Sequence, residues 1–368
     1  MQEYRTTALD GLRGWAAFVV AIHHGIDHNL PGAHDAFMLH IFAEPSAQAV
    51  FQKLLLTTFN ANLAVIIFFV LSGKVLFDSL LRSNYSTPSA FIGFSLKRIV
   101  RIYPALWVTL ALYSLTYVIM HNAFLTEPGP PLNDVLINAT LAQITMYGAA
   151  WTLTVEILVI PIILASVYLY RLYGSVAILL IASALILVFD TPTLSFIPYL
   201  PNYAFLFSFG FLASTAIGRE IGGSIRNVSP WIIVAALVFL PIVIPYGLPS
   251  VRLFQGFLAL MLIVRLASSE SNGLKSLLDK PLSQFLGRIS FSLYLLHPIL
   301  LAILDHLAIS ISNSVGQTSC ALIIGILTPT LTIPFAILMY RFVEEPTIRA
   351  GKAISEKLNA RVFALNPA

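Results

Sequence analysis

A few ionisable side chains stand inside stretches that are otherwise apolar, and their types and spacing are where chemistry can be sought. In LDGLRGWAAFVVAIHH, residues 9–24, Arg13 and His24 are eleven positions apart. At about 100° per residue that separation is three turns plus roughly 20°, so a helix carries both on one face, about 16 Å apart along its axis. Gly11 and Gly14 bare the backbone beside Arg13, leaving room for a second helix or a ligand. His23 points about 100° away from His24 and meets other surroundings. A neutral imidazole can take the proton of a hydroxyl group, and a guanidinium can grip a phosphate through its planar fork. The bland alternative has Arg13 reaching to lipid headgroups and His24 bonding a neighbouring helix.

Five other stretches hold comparable groups. LKRIVRIYP, residues 96–104, spaces Lys97, Arg98 and Arg101 at i, i+1 and i+4. Such cations either obey the charge bias of membrane proteins or hold phosphates. WTLTVEILVIP sets Glu156 about one and a half turns into a helix, where a carboxylate needs a partner, and LGRISFSLYLLHP carries His297. Counting along the helices assigns His24, His297 and Glu156 similar depth, in the half away from the arginines. In FFVLSGKVLFDSLL, Lys74 and Asp78 stand at i, i+4 and can neutralise one another. In RFVEEP, Glu344 or Glu345 is placed to pair with an arginine, and Pro346 is predicted to end the helix. The single cysteine, Cys320, sits in an apolar run and reads as packing. His23, His24 and His28 share one short segment, and no spacing demands a metal.

The elements that must position these groups follow from composition. Of 368 residues, 58% are hydrophobic and only 10% charged, with net charge +4, whereas a soluble domain carries about 25% charged residues. Lipid is the solvent for most of the chain, and nothing in the charge points to nucleic acid. Apolar segments near 9–28, 58–82, 99–121, 151–170, 174–190, 198–217, 229–246, 251–268, 283–307 and 318–343 are each near the length of a spanning helix. The segment 134–149 is shorter and rich in Asn, Thr and Gln. If it does not cross, the loop Lys and Arg residues from Arg82 to Arg361 fall on the cytoplasmic side and leave only Lys53 and Arg252 outside. The prediction is therefore an all-α polytopic membrane protein of about ten transmembrane helices plus one short re-entrant or interfacial helix. Both termini are cytoplasmic, and the N-terminus is not a cleaved signal. Residues 1–345 form the membrane-embedded domain, and 346–368 a basic cytoplasmic tail lying on the inner membrane surface. The loop 29–57 is predicted to hold some helical or irregular structure.

Taken together, LDGLRG with Arg13 and His24, FFVLSG, KRIVRIYP, WTLTVE, GRISFSLYLLHP and FVEEP, in that order, resemble the acyltransferase 3 family of integral-membrane O-acyltransferases. The resemblance runs from Leu9 to about Pro346. It implies that Arg13 and His24 are required for activity and that Lys97, Arg98 and Arg101 bind the acyl-CoA donor. The departures are Lys74, where relatives often carry an aromatic or aliphatic residue, and Ile157, where many carry a second acid. The chain is expected to work without the SGNH-type domain fused to some relatives.

On that footing the predicted function is transfer of an acyl group, acetyl by default, from cytoplasmic acyl-CoA to a hydroxyl of an extracytoplasmic glycan or lipid-linked sugar. The setting implied is a bacterial inner membrane. His24 is the general base, with Glu156 or His297 orienting it or binding acceptor, and no metal takes part. The rival is a transporter or flippase for a glycan-type or anionic substrate, since charges near the midplane also mark transport paths. The missing internal repeat argues against it.

Overall fold

The computed structural model describes residues 7–38, 46–82, 88–124, 129–189, 191, 197–244 and 248–365, and its regular structure there is helical throughout. In chain order the first helices are α1 (Thr7–Asn29), α2 (Ala33–Met38), α3 (Ala47–Thr58), α4 (Ala61–Arg82), α5 (Pro88–Phe124) and α6 (Leu132–Ala139). Then come α7 (Trp151–Leu158), α8 (Ile160–Tyr173), α9 (Ser175–Leu187), α10 (Leu200–Ala213), α11 (Ala216–Ser224) and α12 (Pro230–Val243). The last are α13 (Pro249–Ala267), α14 (Gly273–Leu278), α15 (Pro281–Val315), α16 (Gln317–Met339) and α17 (Glu345–Leu365).

Six helical stretches among the described residues are long and apolar enough to cross a membrane: Ala47–Arg82, Phe91–Asn122, Gly148–Tyr173, Pro249–Ala267, Pro281–Val315 and Gln317–Leu358. A seventh follows if α10 and α11, bent by 80° at their junction, are one broken span. The protein is a polytopic all-α membrane protein. α9 and α12 are apolar but shorter, and α1 carries Asp10, Arg13 and Asp27 within its length. The first crossing-length stretch begins earlier than the sequence suggests, because α3 precedes α4 in the loop read as 29–57. The polar 134–149 segment does not form a crossing-length helix. α6 has 8 residues, about 12 Å of rise, and buried Asn138 holds the following irregular chain through Thr145 and Met146.

Between helices in lipid there is little hydrophobic gain in association, so close packing at small residues decides which helices touch. Two seams show it. A Cβ on Gly14 would strike the backbone of Leu286 and Gly287, and one on Gly287 the carbonyl of Asp10, so α1 and α15 lie backbone to backbone. Gly73 of α4 meets the Phe207 carbonyl, and Gly210 of α10 meets that of Val70. Around the second seam Phe69, Phe77, Phe205, Phe207 and Phe211 fill a core shared by α4, α8, α9, α10, α12 and α13. A second core joins α1, α5, α15 and α16. Helices α1 and α4 contribute to both cores, and the polar residues gather beside them.

One sequence expectation is corrected here. Pro346 does not end the helix. A π turn over Tyr340–Glu344 joins α16 to α17, which continues to Leu365. Proline lacks the N–H that would bond four residues back, and the widened turn absorbs that loss. Helix α17 then lies against α5, with Gly351 facing Lys97 and Ser355 facing Gly93.

Candidate active site

Helices α1 and α15 run parallel, and a ladder of polar contacts joins them from end to end. Trp15 donates to Ser283 (3.0 Å), and Arg13 donates to Ser290 (3.1 Å) and the Gly287 carbonyl (3.2 Å). Further along, His24 meets His297 at 2.8 Å, and at the far end Asn29 donates to Asp305 at 2.9 Å with His28 3.2 Å from the same carboxylate. The glycine contacts bring the helices close enough for these short bonds.

The histidine pair has a definite proton order. His297 is fully buried, and its Nδ1 lies 2.6 Å from the Tyr294 carbonyl. A carbonyl can only accept, so Nδ1 of His297 carries the proton and its Nε2 holds a lone pair when the ring is neutral. That Nε2 is 2.8 Å from Nδ1 of His24, so His24 donates from Nδ1 and keeps its own Nε2 unprotonated. The ring planes differ by only 16° with centroids 5.0 Å apart. With the nitrogens at 2.8 Å the rings therefore meet edge to edge in almost one plane, as an N–H···N bond requires, and do not stack face to face. The Tyr294 carbonyl is available for a local reason. In a regular helix it would accept from the backbone N–H four residues on, but that residue is Pro298, which has none. His23 takes no part in this chain of bonds, because its Nδ1 donates to the Phe59 carbonyl at 2.6 Å.

At the Arg13 end a chamber of about 70 Å³ opens between α1, α4, α5, α7 and α15. Arg13, Arg98, Arg101 and Glu156 supply its charge, and Ser72, Ser290 and Tyr294 add hydroxyls. Glu156 accepts a short hydrogen bond from Arg98. Arg101 reaches Glu344 of the π turn at 3.4 Å, and the other oxygen of Glu344 accepts from Ser292 at 3.0 Å. Arg13 pairs with Asp10 at 3.2 Å. Nε of the buried Arg98 has no acceptor among the described residues. An unsatisfied buried guanidinium N–H costs free energy, and an oxygen of a bound molecule would remove that cost.

The sequence-predicted residues thus divide into two groups. Arg13, Arg98, Arg101 and Glu156 come together in the chamber, and His24 and His297 come together along the same seam. Glu156 is not at the depth of the histidines. The chain reaches α7 already deep in the bundle, because the buried Tyr147 donates to the carbonyl of Leu295, next to Tyr294. Glu156 lies at the arginine end, where it accepts from Arg98 and lines the chamber with Arg13. Lys97 does not line the chamber and backs onto α17 at Gly351. The important residue that sequence reading passed over is Tyr294. Its side chain lines the chamber, donates to the Ala149 carbonyl (3.0 Å) and accepts from Thr152 (3.1 Å), while its carbonyl holds His297. The signal was present: Ser290, Tyr294 and His297 fall at i, i+4 and i+7, one helix face. Lys74 and Asp78 form the expected ion pair at 3.0 Å. Among the described residues no group of three or more His, Cys, Asp or Glu side chains could hold a metal ion.

A family model described as an acyltransferase domain, of the acyltransferase 3 family, matches residues 6–339. No curated protein and no solved structure matches the chain.

Proposed function

Because the chain belongs to the acyltransferase 3 family, we propose that it transfers an acyl group, acetyl in the first instance, from cytoplasmic acyl-CoA to a hydroxyl of an extracytoplasmic glycan-type acceptor, with His24 as general base. The observation that carries the reading is the bond order Tyr294 C=O, His297, His24, which leaves a lone pair on Nε2 of His24. An acceptor hydroxyl gives its proton to that nitrogen as its oxygen attacks the thioester carbonyl. The C–S bond breaks, the thiolate of CoA leaves, and the imidazolium returns the proton to it. The products are the ester and free CoA. His297 acts through His24: it holds the tautomer and the ring plane.

Arg13, Arg98 and Arg101 receive the donor at the cytoplasmic end, with the spare Arg98 N–H as one contact. The slender thioester arm of the donor enters the chamber lined by Arg13, Arg98 and Arg101, and the nucleotide stays at the mouth, within reach of Lys97. Glu156 serves as the fixed countercharge that aims Arg98. About 16 Å along α1 from Arg13, the pantetheine arm brings its thioester to His24. The accompanying topology has ten crossings with both termini cytoplasmic. It is supported by adding α1, α9, α12 and the bent pair α10–α11 to the six long apolar stretches, and by the positions of the loop lysines and arginines. Within the tail, residues 346–365 lie at the cytoplasmic surface, and 366–368 fall outside the described residues.

The test uses inside-out membrane vesicles given acetyl-CoA labelled in the acetyl group, with wild type and His24→Ala at matched levels. Label entering a glycan or lipid-linked glycan fraction with wild type alone is the expected result. Equal labelling by both would remove His24 as the base. Movement of acceptor across the membrane with no labelled ester formed would favour transport instead.

A further inference from the structure

Behind α4 lies a second cavity that this chemistry does not use. Ser72 lines the chamber and Lys74 lines this cavity, so the two sit at one level, about 3 Å apart along α4 and on nearly opposite faces. The cavity measures about 570 Å³ and is bounded by α4, α11, α13 and the turn after α13. It exists because α11 is folded by 80° across the end of α10, and Gly222 and Gly223 put no side chain into the space.

Its charges do not balance. Four cations, Lys74, Arg219, Arg226 and Arg265, share the lining with two carboxylates, Asp78 and Glu270. The two less exposed cations take both carboxylates: Lys74 bonds Asp78 at 3.0 Å and Arg265 bonds Glu270 at 2.9 Å. Arg219 and Arg226 are exposed on α11 and the turn after it, and neither makes an ion pair or side-chain hydrogen bond with the described residues. Two forked guanidinium groups therefore border a cavity large enough for a polar headgroup, with a net excess of two positive charges. Guanidinium forks match phosphate oxygens in shape and charge.

We propose that this cavity binds a phosphate-bearing anion, with Arg219 and Arg226 as the phosphate clamp and the Lys74–Asp78 and Arg265–Glu270 pairs as its polar floor. The phosphate belongs to an anionic phospholipid headgroup or to a soluble nucleotide. Both present the same chemistry to this clamp.

The experiment titrates the purified full-length protein in detergent with short-chain phosphatidylglycerol, short-chain phosphatidylcholine or ADP, and reads bound ligand by native mass spectrometry. Wild type, R219S/R226S and R219K/R226K are compared. Loss of two charge-assisted contacts is expected to weaken binding of the anionic probe by about tenfold to a hundredfold. The lysine pair keeps the charges but not the forks, so its affinity should fall between those of wild type and R219S/R226S, and phosphatidylcholine should bind weakly to all three. Phosphatidylglycerol binding that is lost in R219S/R226S assigns the site to lipid, and ADP binding that is lost in R219S/R226S assigns it to a nucleotide. Equal binding of both anions by wild type and R219S/R226S, or no anion binding by wild type, overturns the proposal. Both substituted arginines are exposed, so the variants should fold, and an unchanged melting temperature checks this. No acyl transfer is read, so the result stands apart from the fate of the His24 mechanism.

Discussion

Replacing His297 separates holding a tautomer from filling space. In His297→Leu the Nδ1–H of His24 loses its acceptor, the Nε2 now 2.8 Å away. Leaving a buried donor unpaired costs about 1–3 kcal/mol. The ring escapes that cost by turning or by moving its proton to Nε2, and either change withdraws the basic nitrogen. At 1.36 kcal/mol per decade, this corresponds to a loss of about fivefold to 150-fold in kcat. The loss lies mostly below the roughly 10²–10⁴-fold range of a whole general base, so His24→Ala should be worse. His297→Gln offers a carbonyl oxygen in place of Nε2 and should recover much of the rate. The assay is transfer of labelled acetyl from acetyl-CoA by protein in nanodiscs, with kcat and KM measured separately. The KM for acetyl-CoA should hold, because His297 does not line the arginine chamber. Equal rates for the Leu and Gln variants, both folded, would refute the tautomer argument, as would a fall confined to KM.

Three further outcomes are expected. Gly14→Val should lower the melting temperature and the transfer rate together, since its side chain must displace the backbone of Leu286 and Gly287 and so spread α1 from α15; overpacking alone costs about 1–3 kcal/mol. Glu156→Gln should destabilise the protein by about 3 kcal/mol, the lower end for a broken buried pair because the Glu156 side chain keeps 22% of its exposure. The Arg98→Met/Glu156→Leu double variant should regain most of that in thermal unfolding while the KM for the donor rises. Pro298→Ala should raise the melting temperature, because a proline inside a helix costs about 3 kcal/mol, yet lower kcat several-fold, because the restored backbone N–H competes with His297 for the Tyr294 carbonyl; an unchanged kcat would show that the proline has no part in orienting the pair.

Much of this arrangement was legible in the sequence wherever the information was periodic. The helical spacing of Arg13 and His24 and the glycines beside Arg13 follow from counting, the lack of a crossing-length helix in 134–149 follows from the loop charges, and the structure has each. Counting also put His24 and His297 at one depth, because α1 and α15 are long and regular around those residues. It failed for Glu156 because depth was measured from the start of α7. That start is set by a non-local contact, since Tyr147 is tied to α15. It failed at Pro346 because a missing hydrogen bond was read as a stop. The same loss is absorbed by the π turn, which also presents Glu344 to Arg101 and Ser292.

The two prolines differ in what takes up the hydrogen bond they forgo. At Pro346 the backbone widens, and the altered turn carries a carboxylate toward the arginines. At Pro298 the helix continues, and the carbonyl left open is taken by the side chain of the preceding residue. That single substitution of a side-chain donor for a backbone one fixes the proton on Nδ1 of His297, then the proton on Nδ1 of His24, and so selects Nε2 of His24 as the nitrogen with a free lone pair. The order runs in one direction only, since a carbonyl cannot donate. A histidine beside a proline in a buried helix is therefore more than a polar residue next to a helix breaker. The pair sets a direction for protons, and here that direction leads across the glycine-lined seam between α1 and α15 to the histidine that faces partly outward.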